Sequence, residues 1–105
     1  MTGSTFDHRA LDPVIHSRIR LSVMAVLASV DDAEFTFLRD RVNATDGNLS
    51  THLGRLADAG YVEGERALQD GRAVTRYHLT AAGRRAFAAY LRHMESLLNG
   101  LDRCT

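Results

Sequence analysis

The sequence predicts an α+β fold, mostly α, with four helices and a two-stranded antiparallel hairpin between the third and fourth. Three observations carry this. Leu49, Leu53 and Leu56 recur at helical spacing behind a polar outer face. Asp70-Gly71, a strong short-turn pair, sits between two stretches of strand character. Phe87, Leu91, Met94, Leu98 and Leu101 are spaced 4, 3, 4, 3, a coiled-coil-like seam in a last helix.

A chain of 105 residues, 45% hydrophobic and 25% charged, predicts one globular domain with a modest core. Residues 1–10 read as a flexible arm, in which terminal disorder is preferred over a contact of Arg9 with DNA or a partner subunit. No apolar run approaches the ~20 residues of a membrane span, and MTGSTFDHRALD lacks the apolar segment of a signal peptide. A cytoplasmic protein without a membrane partner is expected. The single cysteine, Cys104, excludes an internal disulfide framework. A net charge of zero argues mildly against nucleic acid as a partner. The distribution softens that argument. All 13 Lys/Arg positions are arginine, which suits bidentate phosphate and guanine contacts, although arginine-rich codon usage explains the bias equally well. The acids Asp31, Asp32 and Glu34 gather at one end of the first helix.

Asp12-Pro13 reads as the start of that helix, with Asp12 as N-cap and Pro13 in its first position, running to about Ser29. Ile15, Ile19, Val23, Val26 or Leu27, and Val30 form one stripe. Leu21, Met24, Ala25 and Ala28 widen it until the helix is apolar nearly all round, which predicts burial on two sides. In so small a chain the second cover is a partner subunit. Glu34-Phe35-Thr36 reads as a very short strand and Thr36 to Val42 as a helix with Arg39 and Arg41 outside. Asn43 can adopt the left-handed conformation that ends it.

Thr45 is the N-cap of the third helix, Asp46 suits its dipole, and Gly47 in the first turn admits a close backbone or phosphate. Asn48, Thr51, His52 and Arg55 fall opposite the leucines, with Ser50 toward the flank. Such short polar side chains with an arginine reach phosphates or base edges in a groove. Gly60 ends the helix. Two short helices joined by a tight turn, the second with a polar outer face, make a helix-turn-helix. Tyr61 to Thr80 then folds back through Gln69-Asp70-Gly71-Arg72. Thr75, Tyr77 and Leu79 alternate inward; Val74, Arg76 and His78 alternate outward. A hairpin directly after a recognition helix is a wing. Its Arg66, Gln69, Arg72 and Arg76 would reach the DNA backbone or minor groove. Thr80 caps the last helix, Ala81 to about Leu101, with Tyr90 and Leu97 broadening its seam. Arg84, Arg85 and Arg92 lie outside the seam. Residues 11–80 thus form a winged helix-turn-helix and 81–105 a dimerisation helix. Ile15, Ile19, Val23, Phe87, Tyr90, Leu91, Met94, Leu98 and Leu101 are the expected dimer contacts.

LDPVIHSRIRLSVMAVLA, EFTFLRDRVNATDGNLSTHLGRLADAGYVE and DGRAVTRYHLTAAGRRAFAAYL together resemble the stand-alone winged-helix transcriptional regulators of bacteria and archaea, small relatives of the MarR and ArsR families. The resemblance covers about Leu11 to Leu91. Its most specific part is TDGNLSTHLGRLADAGYVE followed by the spacing of Thr75 to Arg84. It implies a homodimer, joined through the first and last helices, that binds double-stranded DNA as a repressor or activator. It places Asp46, Gly47, Asn48, Ser50, Thr51, His52 and Arg55 on the recognition helix, and Arg66, Gln69, Arg72 and Arg76 on the wing. Two departures matter. Relatives often carry proline after Ile-His-Ser, where this chain has Arg18, so a straighter first helix is expected. Many carry arginine or lysine near position 74, where Val74 predicts a weaker grip.

His8, His16, His52, His78 and His93 form no pair at zinc spacing, and no Cys-x-Cys precedes the turn, so no metal is expected. There is no glycine-rich phosphate loop and no nucleophile with an assignable base. Neither an enzyme nor a cofactor is predicted. Two alternatives stay open: a winged-helix adaptor that binds protein, and a ligand-sensing regulator with an apolar effector near Met24, Phe87, Tyr90 and Met94.

Overall fold

The computed structural model describes residues 11–103, with side chains as far as residue 100. The expected arm, Cys104 and the side chain of Leu101 lie outside the described residues. Helix α1 spans Arg18–Ala28, strand β1 Ala33–Glu34, helix α2 Phe35–Val42 and helix α3 Asp46–Asp58. Strands β2 (Val62–Gln69) and β3 (Arg72–Leu79) form the hairpin, and helix α4 spans Ala81–Arg103. The sheet has three strands in the order β1-β3-β2, all antiparallel.

The first helix is shorter than expected. Asp12 and Pro13 open a single turn, in which the Asp12 carbonyl accepts from Ile15 N (3.1 Å) and His16 N (2.8 Å). The turn does not continue, because Ser17 is extended (φ −151, ψ 137) and serves as N-cap of α1. Arg18 therefore holds the first helical position, where a proline is also well accommodated. Losing that proline does not straighten the segment; the break at Ser17 remains.

Asp12 stays useful outside the helix. Its Oδ1 accepts from Val14 N, and its Oδ2 accepts from the Tyr61 hydroxyl, tying the opening turn to the base of the hairpin. That hydrogen bond, then burial, then the Asp12 charge push the Tyr61 phenol up to about 12 from 10.0. Tyr61 thus holds its proton more tightly folded than unfolded. The contribution is complete below pH 10 and is lost as pH rises toward about 12. The urea midpoint should fall more steeply over that window in the native protein than in Tyr61→Phe; parallel curves would remove Tyr61 from the alkaline transition.

The helix-turn-helix forms as its residues dictate. Asn43 is left-handed (φ 56, ψ 57) and closes α2. The Thr45 hydroxyl accepts from Asn48 N at 3.1 Å and caps α3. Gly60 takes φ +81 just past the helix. Asp70 (φ 53) and Gly71 (φ 79) make the two-residue turn with both φ positive, whose twist matches a hairpin.

The short strand lies one residue earlier than expected. Glu34 is extended and caps α2, so Phe35 and Thr36 enter the helix. Ala33 and Glu34 instead pair with Tyr77 and Arg76, so the short strand joins the expected hairpin in one sheet. β3 is therefore central, and Val74 to His78 are all half-buried rather than alternating. Partners on both edges cover it, and polar neighbours cover its side chains: Glu63 meets His78 at 3.1 Å.

Ile15, Val23, Met24, Leu27, Leu38, Leu49, Leu56 and Val62 are fully buried and join the three N-terminal helices to the sheet. α4 docks at one tight point. The Tyr61 carbonyl accepts from Thr80 N (3.0 Å), and Thr80 Oγ1 accepts from Gly83 N (2.9 Å) to cap the helix. A Cβ on Gly83 would lie 2.1 Å from the Tyr61 carbonyl oxygen, so only glycine permits this approach.

Candidate nucleic-acid interface

α3 carries the candidate surface. Leu49, Leu53 and Leu56 are buried, so the helix can present only its other side. Thr45, Asp46, Gly47, Asn48, Ser50, Thr51 and Arg55 are all exposed on it. Nothing lies within 4 Å of a Cβ built at Gly47, which leaves the first turn open to a bulky group. A carboxylate here would repel phosphate, but Asp46 is paired. Its Oδ1 accepts from Arg39 Nη1 of α2 at 2.9 Å. The hydrogen bonds to Asp46 and then Asp40 raise the Arg39 pKa further. Asp46 thus braces the two helices of the motif instead of standing free.

His52 departs from its expected place. It is half-buried, and its Nδ1 lies 2.9 Å from Arg20 Nη1 of α1. Burial, followed by the charges of Arg20, Arg55 and Arg18, lowers its pKa below the usual 6.5. Arg20 was not singled out by the sequence. It sits among the apolar residues of α1, and only its interruption of that stripe marks it.

The wing residues divide. Register pairs Gln69 with Arg72, Glu65 with Arg76 and Arg66 with Thr75. Directly paired residues share a face and successive pairs alternate, so Gln69, Arg72 and Arg76 lie on one face and Arg66 on the other. Arg66, Gln69 and Arg72 are exposed. Arg76 is engaged: Nε and Nη2 meet Asp32 Oδ1 at 2.8 and 2.7 Å, and Nη1 donates to Gln69 Oε1 at 2.9 Å. Asp32, one of the acids gathered at the end of the first helix, thereby anchors the wing to the segment after α1. Arg72 is left as the exposed cation at the wing tip.

A family model described as a winged helix DNA-binding domain matches residues 19–98. The chain belongs to this family. An uncharacterized protein of Methanocaldococcus jannaschii is 33% identical to this winged helix over 89 residues, 85% of this chain and 97% of that one. Among solved structures, a transcriptional regulator homologue from Pyrococcus horikoshii OT3 aligns with a TM-score of 0.80 at 26% identity, covering 85% of this chain and 88% of that one. A MarR-family transcriptional regulator from Silicibacter pomeroyi aligns at 0.60 and 27% identity, covering 87% and 58%. These relatives of assigned class are transcriptional regulators, not enzymes. At that level this winged helix is a MarR-like DNA-binding regulator.

The expected dimer contacts separate into two groups. Ile15, Ile19, Val23 and Tyr90 are buried within a single copy of the winged helix, because the opening turn and α1 pack inside the domain. Tyr90 also meets His16 Nδ1 through its hydroxyl at 2.8 Å. Phe87 and Met94 are half-buried against the core, whereas Leu91 and Leu98 stand 49% and 57% exposed on α4. Met24 and Tyr90, expected to line an effector pocket, are packed core residues. A cleft of about 380 Å³ lies elsewhere, lined by Pro13, Val14, Arg20, Arg55, Asp58 and Ala59. Among the described residues no cluster of three metal-ligating side chains occurs, and no helix is long and apolar enough to cross a membrane.

Proposed function

We propose that the protein acts in the cytoplasm as a homodimer that binds an inverted-repeat operator and represses transcription. The observation that carries this is the outer face of α3, open at Gly47, polar at Asn48, Ser50 and Thr51, cationic at Arg55, and with its first-turn acid, Asp46, paired to Arg39. The two recognition helices would enter successive major grooves about 34 Å apart. Asn48, Ser50, Thr51 and His52 would read base edges, while Arg55, Arg66 and Arg72 would contact the backbone. Arg76 and Gln69 would hold the wing in place through Asp32. Residues 11–80 would supply the DNA-reading unit, and α4 would supply the dimer contact through Leu91 and Leu98. Repression needs no further surface, since a dimer seated on a promoter excludes the polymerase.

The deciding test is binding to the DNA upstream of its own coding sequence, titrated at two salt concentrations with excess competitor DNA. Specific binding that weakens steeply with salt is expected. A folded dimer without binding would put the adaptor reading first, to which the net charge of zero is suited. Arg72→Ala should weaken binding about tenfold on every sequence and reduce the salt slope by about 0.9, the loss of one phosphate contact. An unchanged slope would take the wing tip off the DNA. Asn48→Ala or Thr51→Ala should instead change the sequences recovered in a binding-site selection.

A further inference from the structure

We infer that Arg20 is a positioning residue, which holds His52 as a neutral hydrogen-bond donor on the recognition helix. The inference rests on the proposed reading of α3 as the base-reading helix. Arg20 reaches across three segments. Its Nε donates to the Val14 carbonyl and its Nη2 to the Pro13 carbonyl, both in the opening turn. Its Nη1 lies 2.9 Å from His52 Nδ1 on α3. A guanidinium carries donors alone, so Nδ1 must be the accepting, unprotonated nitrogen. The ring's proton then resides on Nε2, and the tautomer is set by a partner that is always charged. A neutral Nε2–H is a directed donor suited to an acceptor on a base edge, such as a purine N7 or O6.

The surroundings keep the ring in that state. Arg18 and Arg20 of α1 and Arg55 of α3 all act on it with positive charge, and burial adds to them. Asp58, which lines the cleft with Arg20 and Arg55, is the acid of this neighbourhood. Protonation would place a donor on Nδ1 opposite the Arg20 donor, breaking the contact. Arg20 would then keep only its carbonyl partners in the opening turn. As pH falls through the lowered pKa of His52, Nε2 keeps its proton but the ring loses the contact that fixed its direction, while the helix gains positive charge. Discrimination between operator and random DNA should therefore fall in acid, although total affinity for DNA rises.

The experiment has two arms. In the first, imidazole nitrogen NMR follows the protein alone. His52 should show an unprotonated Nδ1 and a protonated Nε2 at neutral pH and titrate below 6.5. In Arg20→Met the tautomer preference should weaken and the titration should move up. In the second arm, operator and scrambled duplexes are compared across pH. Arg20→Met should lose about five- to tenfold in discrimination. His52→Gln, whose amide can accept from Arg20 and donate outward without titrating, should retain most of it with a flat pH profile. An Nδ1–H tautomer in the native protein, or an Arg20→Met protein with unchanged tautomer and titration, would overturn the inference. Should Arg20→Met fail to fold, the native tautomer and the His52→Gln profile decide it. If the native protein binds no DNA, the second arm fails with the proposed function, and the first still judges Arg20.

Discussion

Gly83→Ala is expected to lower the stability of the protein by about 3 kcal/mol or more, at the upper end of overpacking effects. The new Cβ would sit 2.1 Å from the Tyr61 carbonyl oxygen and 2.9 Å from its carbon. Neither atom can turn aside. The carbonyl accepts from Thr80 N, and Thr80 Oγ1 donates to the Gly60 carbonyl at 2.6 Å. Relief requires α4 to lift from the hairpin base, which gives up the cap from Thr80 to Gly83 and the packing of Tyr90. Gly54→Ala supplies the control. It also lies within a helix, but nothing is within 4 Å of its Cβ, so alanine there should stabilise the protein by about 0.5–1 kcal/mol. Urea denaturation of the two variants reads both effects. Equal effects would mean that helix propensity, not the Tyr61 contact, governs position 83.

The second large effect is expected from Leu91→Glu with Leu98→Glu. These leucines are seven residues apart on one side of α4 and are largely exposed in a single copy. In the proposed symmetric dimer each would appear twice. Covering the exposed half of each leucine contributes roughly 1 kcal/mol, so four such losses remove about 4 kcal/mol of the association energy. Introduced carboxylates would be unpaired, which raises the cost further. Sedimentation should show a folded monomer, and operator affinity should fall at least about 100-fold because two half-sites are no longer bound together. The core lies elsewhere, so thermal unfolding of the double variant should remain cooperative. A variant that stays dimeric would move the interface off this face of α4.

The parts of the fold legible in the sequence were those governed by local chemistry. Thr45, Asn43, Gly60, Asp70-Gly71 and Thr80 each act through backbone conformation or a cap, and each sits where its residue type predicts. The leucines of α3 follow helical periodicity because one side of that helix alone is buried. The opening segment was harder. Asp12-Pro13 does start a turn, but the extended Ser17 ends it, and the hydrogen bond from Tyr61 to Asp12 spans 49 positions. The partners of Arg76 and Arg20 escape the sequence for the same reason. Asp32, His52 and the carbonyls of the opening turn meet them only in the folded chain. A burial stripe likewise does not say which molecule covers it. Ile15, Ile19, Val23 and Tyr90 are apolar in the same pattern as Leu91 and Leu98, yet the chain buries the first four itself.

The Tyr61 carbonyl has a consequence for how movement spreads. It lies where α3 gives way to the hairpin, and α4 is fastened to it by a hydrogen bond and by contact too close for a side chain. The long helix and the root of the wing therefore have no slack between them. In the proposed dimer on DNA, a change in the angle at which the two long helices cross would be passed to both wing tips, swinging them along the duplex like the arms of a pair of callipers. The spacing that such a pair can span would be set far from the tips, at one glycine.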